Sequence, residues 1–198
     1  SSINSSYQEL NKNKIDLFFK IVLGQKAKIS KISFIGDKKF KDAALRNIIL
    51  SEEYRFWKFI SGKKYLNENL INYDNRLLSN FYKNKGYYNV EINSSFASYL
   101  GNNEFEVTYN ISAGKKFFFN EFNLNLPIDY DRNNFTELNK IFEKLKGKNY
   151  SLYSIDTILK EIDKIVLNKQ FEILNSTVKE QVKENLINFT FDISVADS

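Results

Sequence analysis

The chain repeats itself, and that repeat constrains the fold more than any single motif in it. Ile3-Asn4-Ser5-Ser6-Tyr7 recurs as Ile92-Asn93-Ser94-Ser95-Phe96 and, in looser form, as Ile173-Leu174-Asn175-Ser176-Thr177. Each copy leads through a polar turn to a second apolar run. The turns are Asn11-Lys12-Asn13-Lys14, Gly101-Asn102-Asn103 and Lys183-Glu184-Asn185, and the runs that follow are Ile15–Leu23, Phe105–Ile111 and Leu186–Ile193. Two alternating runs around an Asn/Gly/Lys turn predict a β-hairpin at each place.

A second pair of copies lies between the hairpins. Gly62-Lys63-Lys64-Tyr65 matches Gly147-Lys148-Asn149-Tyr150, and helical periodicity follows both. Leu70, Tyr73, Leu77 and Phe81 align with Ile155, Ile158, Ile162 and Val166, and their spacings of three and four predict one apolar helix face in each copy. A strand opens each unit, at Ile29–Ile35 and Phe117–Leu126. A shorter helix follows near Lys41–Leu50 and near Asn133–Lys146, the latter turning Phe135, Leu138, Phe142 and Leu145 inward. The order β-α-α-β-β over about 85–90 residues predicts an α+β unit with three strands covered on one face by two helices. The expected division is 1–24, the closing hairpin of a preceding unit, then 25–114 and 115–198.

Composition removes several kinds of chemistry. The 198 residues include no His, Cys or Met. There is no disulfide, thiol nucleophile or thiolate metal site, and the side chain best suited to proton transfer near neutral pH is absent. No phosphate-cradling glycine motif occurs, and the carboxylate pairs Glu52/Glu53 and Asp129/Asp131 read as solvated neighbours. No catalytic residue, cofactor site or metal site is assigned, and a non-enzymatic protein is expected. No apolar run approaches the ~18–20 residues of a membrane-spanning helix. The missing Met makes Ser1 read as the start of a processed or excised piece.

A tandem β-α-α-β-β array with this wording resembles the POTRA domains of the BamA family of outer-membrane β-barrel assembly factors. Ile32-Ser33-Phe34-Ile35-Gly36-Asp37, followed by Lys39-Phe40, resembles the family's first strand, glycine turn and start of helix one. Tyr65 to Phe81-Tyr82, then Lys85-Gly86-Tyr87, is similar to helix two and its glycine ending. The stretch from Glu53 to Gly62 is similar to the aromatic insertion of the family's third domain, so the chain is read as the end of the second domain, the third and the fourth. In the last unit Lys169-Gln170-Phe171 departs from the pattern, having lost the expected glycine. The resemblance implies a three-stranded mixed sheet in each unit and a periplasmic, non-catalytic scaffold. It also implies three kinds of partner: unfolded outer-membrane proteins, BamB-like lipoprotein accessory subunits, and the protein's own C-terminal membrane β-barrel beyond Ser198.

In that fold the first strand of each hairpin lies at a sheet edge, which offers unpaired N–H and C=O groups. The implied sites for β-augmentation are therefore Asn93, Ser94, Ser95, Phe96, Ala97, Ser98 and Tyr99 in the middle unit, and Asn175, Ser176, Thr177 and Val178 in the last. Phe96 and Tyr99 are the expected anchors, and proline at Ser95 or Ser98 is expected to weaken client binding. Charge adds a second candidate. The net +5 is distributed as +1, +5 and −1 over 1–24, 25–114 and 115–198. Lys38, Lys39, Lys41, Lys58, Lys63 and Lys64 are a possible basic surface for anionic headgroups, an acidic partner or nucleic acid, or simply a solvated face. The aromatics Phe56, Trp57 and Phe59 are expected to pack between helices and sheet. Two rival readings are carried forward. One is an RNA-binding αβ module, which requires aromatics on the open sheet face. The other is the POTRA region of a related two-partner secretion, TamA-type or organelle import protein.

Overall fold

The computed structural model describes residues 2–10, 14–22, 26–56, 61–168 and 174–195. Its first element is an antiparallel hairpin of β1 (Ser2–Leu10) and β2 (Lys14–Val22), in register from Ser2↔Val22 to Leu10↔Lys14. The connecting residues 11–13, the joint residues 23–25, the aromatic stretch 57–60 with Trp57, Lys58 and Phe59, and Lys169-Gln170-Phe171 lie outside the described residues.

The β-α-α-β-β order then appears twice. The first pass is β3 (Lys28–Asp37), α1 (Asp42–Arg46), a 3-10 turn at Gly62–Lys64, α2 (Glu68–Asn84), β4 (Glu91–Gly101) and β5 (Glu104–Ser112). The second is β6 (Phe118–Asn125), a 3-10 turn at Arg132–Phe135, α3 (Thr136–Leu145), α4 (Leu152–Asn168), β7 (Leu174–Lys183) and β8 (Leu186–Val195). The sheets have the orders β3-β5-β4 and β6-β8-β7. In each the opening strand runs parallel to the central strand and the hairpin partner antiparallel. The expected mixed three-stranded sheet is therefore present in both. The middle hairpin closes at Gly101, Asn102 and Asn103, all with positive φ (104°, 51° and 58°), the conformation that Gly and Asn adopt most readily.

Compact packing groups residues 1–79 with 91–112, and 80–90 with 113–198. In the second unit Ile187, Phe189, Phe191 and Ile193 alternate inward along β8 against Leu138 and Phe142 of α3 and Ile155, Ile158 and Ile162 of α4. Phe135, Leu138 and Phe142 are buried as their spacing requires, and Leu145 packs partly against them. Residues 80–90 complete this unit. The Gly86 carbonyl accepts from Phe117 N at 2.8 Å, and Asn84 Oδ1 accepts from Tyr153 N at 2.7 Å in the first turn of α4. Because that amide has no partner within its own helix, Asn84→Ala is expected to cost about 1 kcal/mol, read as a lower urea midpoint.

The inward face of α2 is one residue away from the expected stripe. Ile71, Asp74, Leu78 and Tyr82 are buried, whereas Tyr73 is exposed and Leu70, Leu77 and Phe81 only flank the core. The letter match between Tyr65 and Tyr150 misled by that one residue. The helix N-caps are Asn67, whose Oδ1 accepts from Leu70 N, and Ser151, whose Oγ accepts from Ser154 N. The equivalent β-bridges Lys28↔Tyr65 and Phe118↔Asn149 show the same spacing. In that alignment Asp74 stands where Ile158 stands in the second unit, so the buried row reads as broken by a carboxylate.

Asp74 also explains why α1 stops at Arg46 instead of continuing to Leu50. The carboxylate accepts from Leu50 N at 2.7 Å, Ser51 N at 3.2 Å and the Tyr109 hydroxyl at 2.7 Å. Amides that a longer helix would direct at the preceding turn are taken by this buried acid instead. The last residue but one of β3 is Gly36, whose φ is +87°. A Cβ there would lie 2.3 Å from the Ile111 carbonyl oxygen.

Candidate functional site

A three-stranded sheet has two edges, and the two here differ in how their backbone groups are satisfied. Along β3 the outer groups are taken. Tyr54 N donates to Ile29 O at 2.5 Å, Glu53 Oε1 accepts from Ile32 N at 3.1 Å, Arg46 donates to Ile32 O at 2.7 Å and Lys38 to Phe34 O at 3.2 Å. Leu66 N further donates to Ala27 O at 2.9 Å. The outer side of β6 is closed in the same way at its start: Tyr150 N bonds Phe117 O, Phe119 N bonds Lys148 O, and Gly147 N bonds Phe119 O, each at 2.8–2.9 Å. Among the described residues, the open edges of these two sheets are those of β4 and β7.

These two edges are built differently. The register of β4 against β5 slips at Asn93 and again at Leu100, leaving Ser94–Tyr99 as the regular stretch. Such bulges are devices that limit edge pairing. Between them every residue is uncharged. Partners across the ladder share a face, so Ser95, Ala97 and Tyr99 lie on the helix side, opposite Tyr109, Val107 and Phe105. Phe96 and Ser98 lie on the open side, opposite Thr108 and Glu106. Ser95 Oγ bonds Asn75 Oδ1 of α2 at 2.5 Å, and Tyr99 packs at 5.2 Å on Phe105. Phe96 and Tyr99 are both exposed.

By contrast, β7 pairs without a slip from Leu174 to Lys183. Asn175, Ser176 and Thr177 are exposed and Val178 packs partly on the core. Farther along β7 the edge carries charge: Lys179 pairs with Asp192 at 2.7 Å, and Glu180 accepts from the Tyr88 hydroxyl. The Lys179 ammonium, then the Asn125 amide, hold the Asp192 carboxyl below its usual range. Burial, then the bond to Glu180, pushes Tyr88 up to about 12.

Because the Tyr88 phenol titrates higher in the folded chain, its contribution is complete below the ordinary tyrosine value near 10 and is lost as pH rises toward 12. Burial raises Tyr109 and Tyr150 in the same direction. Thermal melts across pH 9–12 are therefore expected to fall steadily, and Tyr88→Phe to remove only part of that slope.

The candidate basic residues differ in their surroundings. Lys38 pairs with Asp42, and Lys39 with Asp37 at 2.7 Å. Lys41 and Lys63 are exposed. Lys64 is a correction: it is 3% exposed, with its ammonium 5.3 Å from the Tyr54 ring and 5.6 Å from the Tyr65 ring, and it is not a surface residue. Aromatic rings tolerate an ammonium group over their faces, which lets the lysine be covered. Lys26 and Lys28, which no motif singles out, join it: their ammonium groups lie 5.1 Å from the Tyr65 ring and 4.4 Å from the Tyr54 ring. Their two-residue spacing, which puts both on one side of an extended chain, was the available signal. Phe56, expected to pack, is 71% exposed.

Central positions of the open sheet faces are polar, with Glu106, Thr108 and Asn110 on β5 and Asn188, Thr190 and Asp192 on β8. Neither central strand presents the aromatic stacking platform that the RNA reading requires. Among the described residues no group of three or more His, Cys, Asp or Glu is gathered for a metal ion, and no helix is long and apolar enough to cross a membrane. A depression of about 320 Å³ lies between α3 and α4. Of its lining charges, Lys140 pairs with Glu137 at 2.5 Å and Lys164 with Glu161 at 3.5 Å.

Residues 27–114 match the family model described as POTRA, surface antigen variable number repeat. This stretch is a POTRA domain. The chain is 23% identical over 190 residues to the outer membrane protein assembly factor BamA of Buchnera aphidicola, covering 91% of this chain and 30% of that protein. It is 24% identical over 163 residues to BamA of Neisseria meningitidis, covering 81% and 20%. Thus it spans less than a third of the curated relatives it matches. In structure it is similar to POTRA domains 3–5 of Haemophilus influenzae BamA, with a TM-score of 0.62 and 13% identity over 87% of this chain and 68% of that one. The second unit repeats the POTRA strand order, β6-β8-β7. POTRA domains of BamA are periplasmic parts of an outer-membrane protein, and this chain takes that location.

Proposed function

We propose that the chain is a non-catalytic scaffold of outer-membrane protein assembly that receives extended client segments by β-augmentation, with β4 as the principal docking edge and β7 as a second. The observation that carries this reading is the asymmetry of the edges. Outer backbone groups along β3 and at the start of β6 bond the protein's own groups, whereas among the described residues no such bond is made along β4 or β7. Backbone pairing is nearly indifferent to sequence, which suits a module that meets many clients. The uncharged stretch Ser94–Tyr99 favours β4, whereas Lys179, Glu180 and Lys183 make β7 more selective. The rest of the reading follows from the family: units at 25–114 and 115–198 as third-like and fourth-like domains after the closing hairpin 1–24, BamB-like accessory partners, and a membrane barrel after Ser198.

Alternate residues of a strand direct their amides to opposite sides, which makes a proline scan from Ser94 to Tyr99 decisive. Prolines at ladder-facing amides are expected to destabilise the first unit. Those at outward-facing amides should leave the melting temperature near wild type and weaken binding of an unfolded outer-membrane protein peptide about tenfold or more. NMR titration reads the binding. Equal affinity across all folded proline variants would overturn the β4 assignment.

A further inference from the structure

Outside the docking edges, the least expected arrangement is a lysine–tyrosine array beside the covered edge of β3. Three ammonium groups are distributed over two rings. Lys28 and Lys64 both lie over the Tyr54 ring, and Lys26 and Lys64 both lie over the Tyr65 ring. The two rings are 6.5 Å apart, so the charges share one small region. Neither Lys26 nor Lys28 has an ion-pair partner among the described residues. The nearest acid in sequence, Glu53, is committed elsewhere: it bonds Ile32 N and pairs with Arg46 at 3.3 Å and Arg55 at 3.4 Å. Such an array concentrates positive charge while keeping its hydrocarbon stems against aromatic surface.

Directly after Tyr54 the chain presents Arg55 and the exposed Phe56. Aromatic residues interleaved with cations are the composition of a surface that sits at the headgroup level of a bilayer. A dissolved phosphate or an acidic peptide would use the ammonium groups but not the exposed ring. The chain belongs to the periplasmic part of an outer-membrane protein, where a membrane surface is close by.

We propose that Lys26, Lys28 and Lys64, with Tyr54, Tyr65 and Phe56, form a contact site for anionic phospholipid headgroups. Lys26 and Lys28 meet the phosphate groups, the covered Lys64 adds its charge from behind the two rings, and Phe56 enters the interface. This site is independent of strand pairing at β4. It would hold the middle POTRA domain against the bilayer surface while its docking edge stays available.

The test is vesicle flotation of the whole chain, with phosphatidylcholine alone and with about one-third phosphatidylglycerol added. Expected is binding to the anionic vesicles only, falling steeply as salt rises. Lys26→Gln with Lys28→Gln should reduce partitioning about thirtyfold, each lysine near such a surface being worth about fivefold. Phe56→Ser should reduce it severalfold without changing the salt slope. Lys64 is left in place because it is buried, and an unchanged melting temperature establishes that the variants fold. Equal binding to neutral and anionic vesicles, or unaltered partitioning of the double variant, overturns the proposal. So does competition by millimolar inorganic phosphate, which would mark a soluble-anion site, or equally tight binding of polyglutamate, which would mark an acidic protein partner.

Discussion

Replacing Asp74 with Ala is expected to lower the stability of the first unit by about 4 kcal/mol, read as a shifted urea midpoint. The carboxylate is fully buried and satisfies three donors, Leu50 N, Ser51 N and the Tyr109 hydroxyl. Truncation leaves all three inside without partners, at about 1–3 kcal/mol each before relaxation. Losses of this size are a large part of the total stability of a small domain. The second unit supplies the control, because Ile158 stands at the place of Asp74, and Phe191, partnered with Leu124 as Tyr109 is with Phe34, stands at the place of Tyr109. Asp74→Ile with Tyr109→Phe copies that solution and removes one stranded donor. The double variant should therefore be less damaged than the two single losses added together. It should still fall short of wild type, since the amides of Leu50 and Ser51 stay unpaired.

Gly36→Ala is expected to cost about 3 kcal/mol. Two independent effects combine there. A left-handed φ of +87° is itself strained for a residue with a Cβ. The added carbon would also sit 2.3 Å from the Ile111 carbonyl oxygen and 2.6 Å from Asn110 Oδ1. The first contact is backbone within the parallel ladder, where Gly36 faces Ile111, so relief requires the end of β3 to move. Gly147 separates the two effects. Its φ is +76° but nothing lies within 4 Å of its Cβ position, so Gly147→Ala should cost only the conformational part, about 1 kcal/mol. Similar midpoints for the two variants would show that β3 yields easily.

Much of the fold was legible because hairpins and amphipathic helices write their period into the residue order. Phe105 to Ile111 alternates as a half-buried strand must, and Ile155, Ile158 and Ile162 mark the inner face of α4 without interruption. In α2 the same rule failed at one residue. Asp74 occupies the inner face although a carboxylate is rarely buried, and the neighbouring row of Leu70, Tyr73, Leu77 and Phe81 looks more apolar than the true one. What makes Asp74 acceptable is a set of three donors from two distant places in the chain, Leu50-Ser51 and Tyr109, which no local pattern records. The covering of the β3 edge is similarly non-local. Glu53, Arg46 and Tyr54 look like surface residues until the fold brings them to the backbone of Ile29 and Ile32. Lys64 was read as surface for the complementary reason, since only the fold lays Tyr54 and Tyr65 over it.

The two register slips in β4 have a kinetic consequence. With Asn93 and Leu100 out of line, only Ser94 to Tyr99 can serve as an uninterrupted template, about half of whose backbone groups face outward. Any guest strand is thus held by a handful of hydrogen bonds, each with a modest net value in water. Under the proposed β-augmentation, residence times on so short a template would be brief, and a segment would leave almost as easily as it arrives. Such an edge would act as a relay rather than a store, passing a chain onward without having to be pried open first.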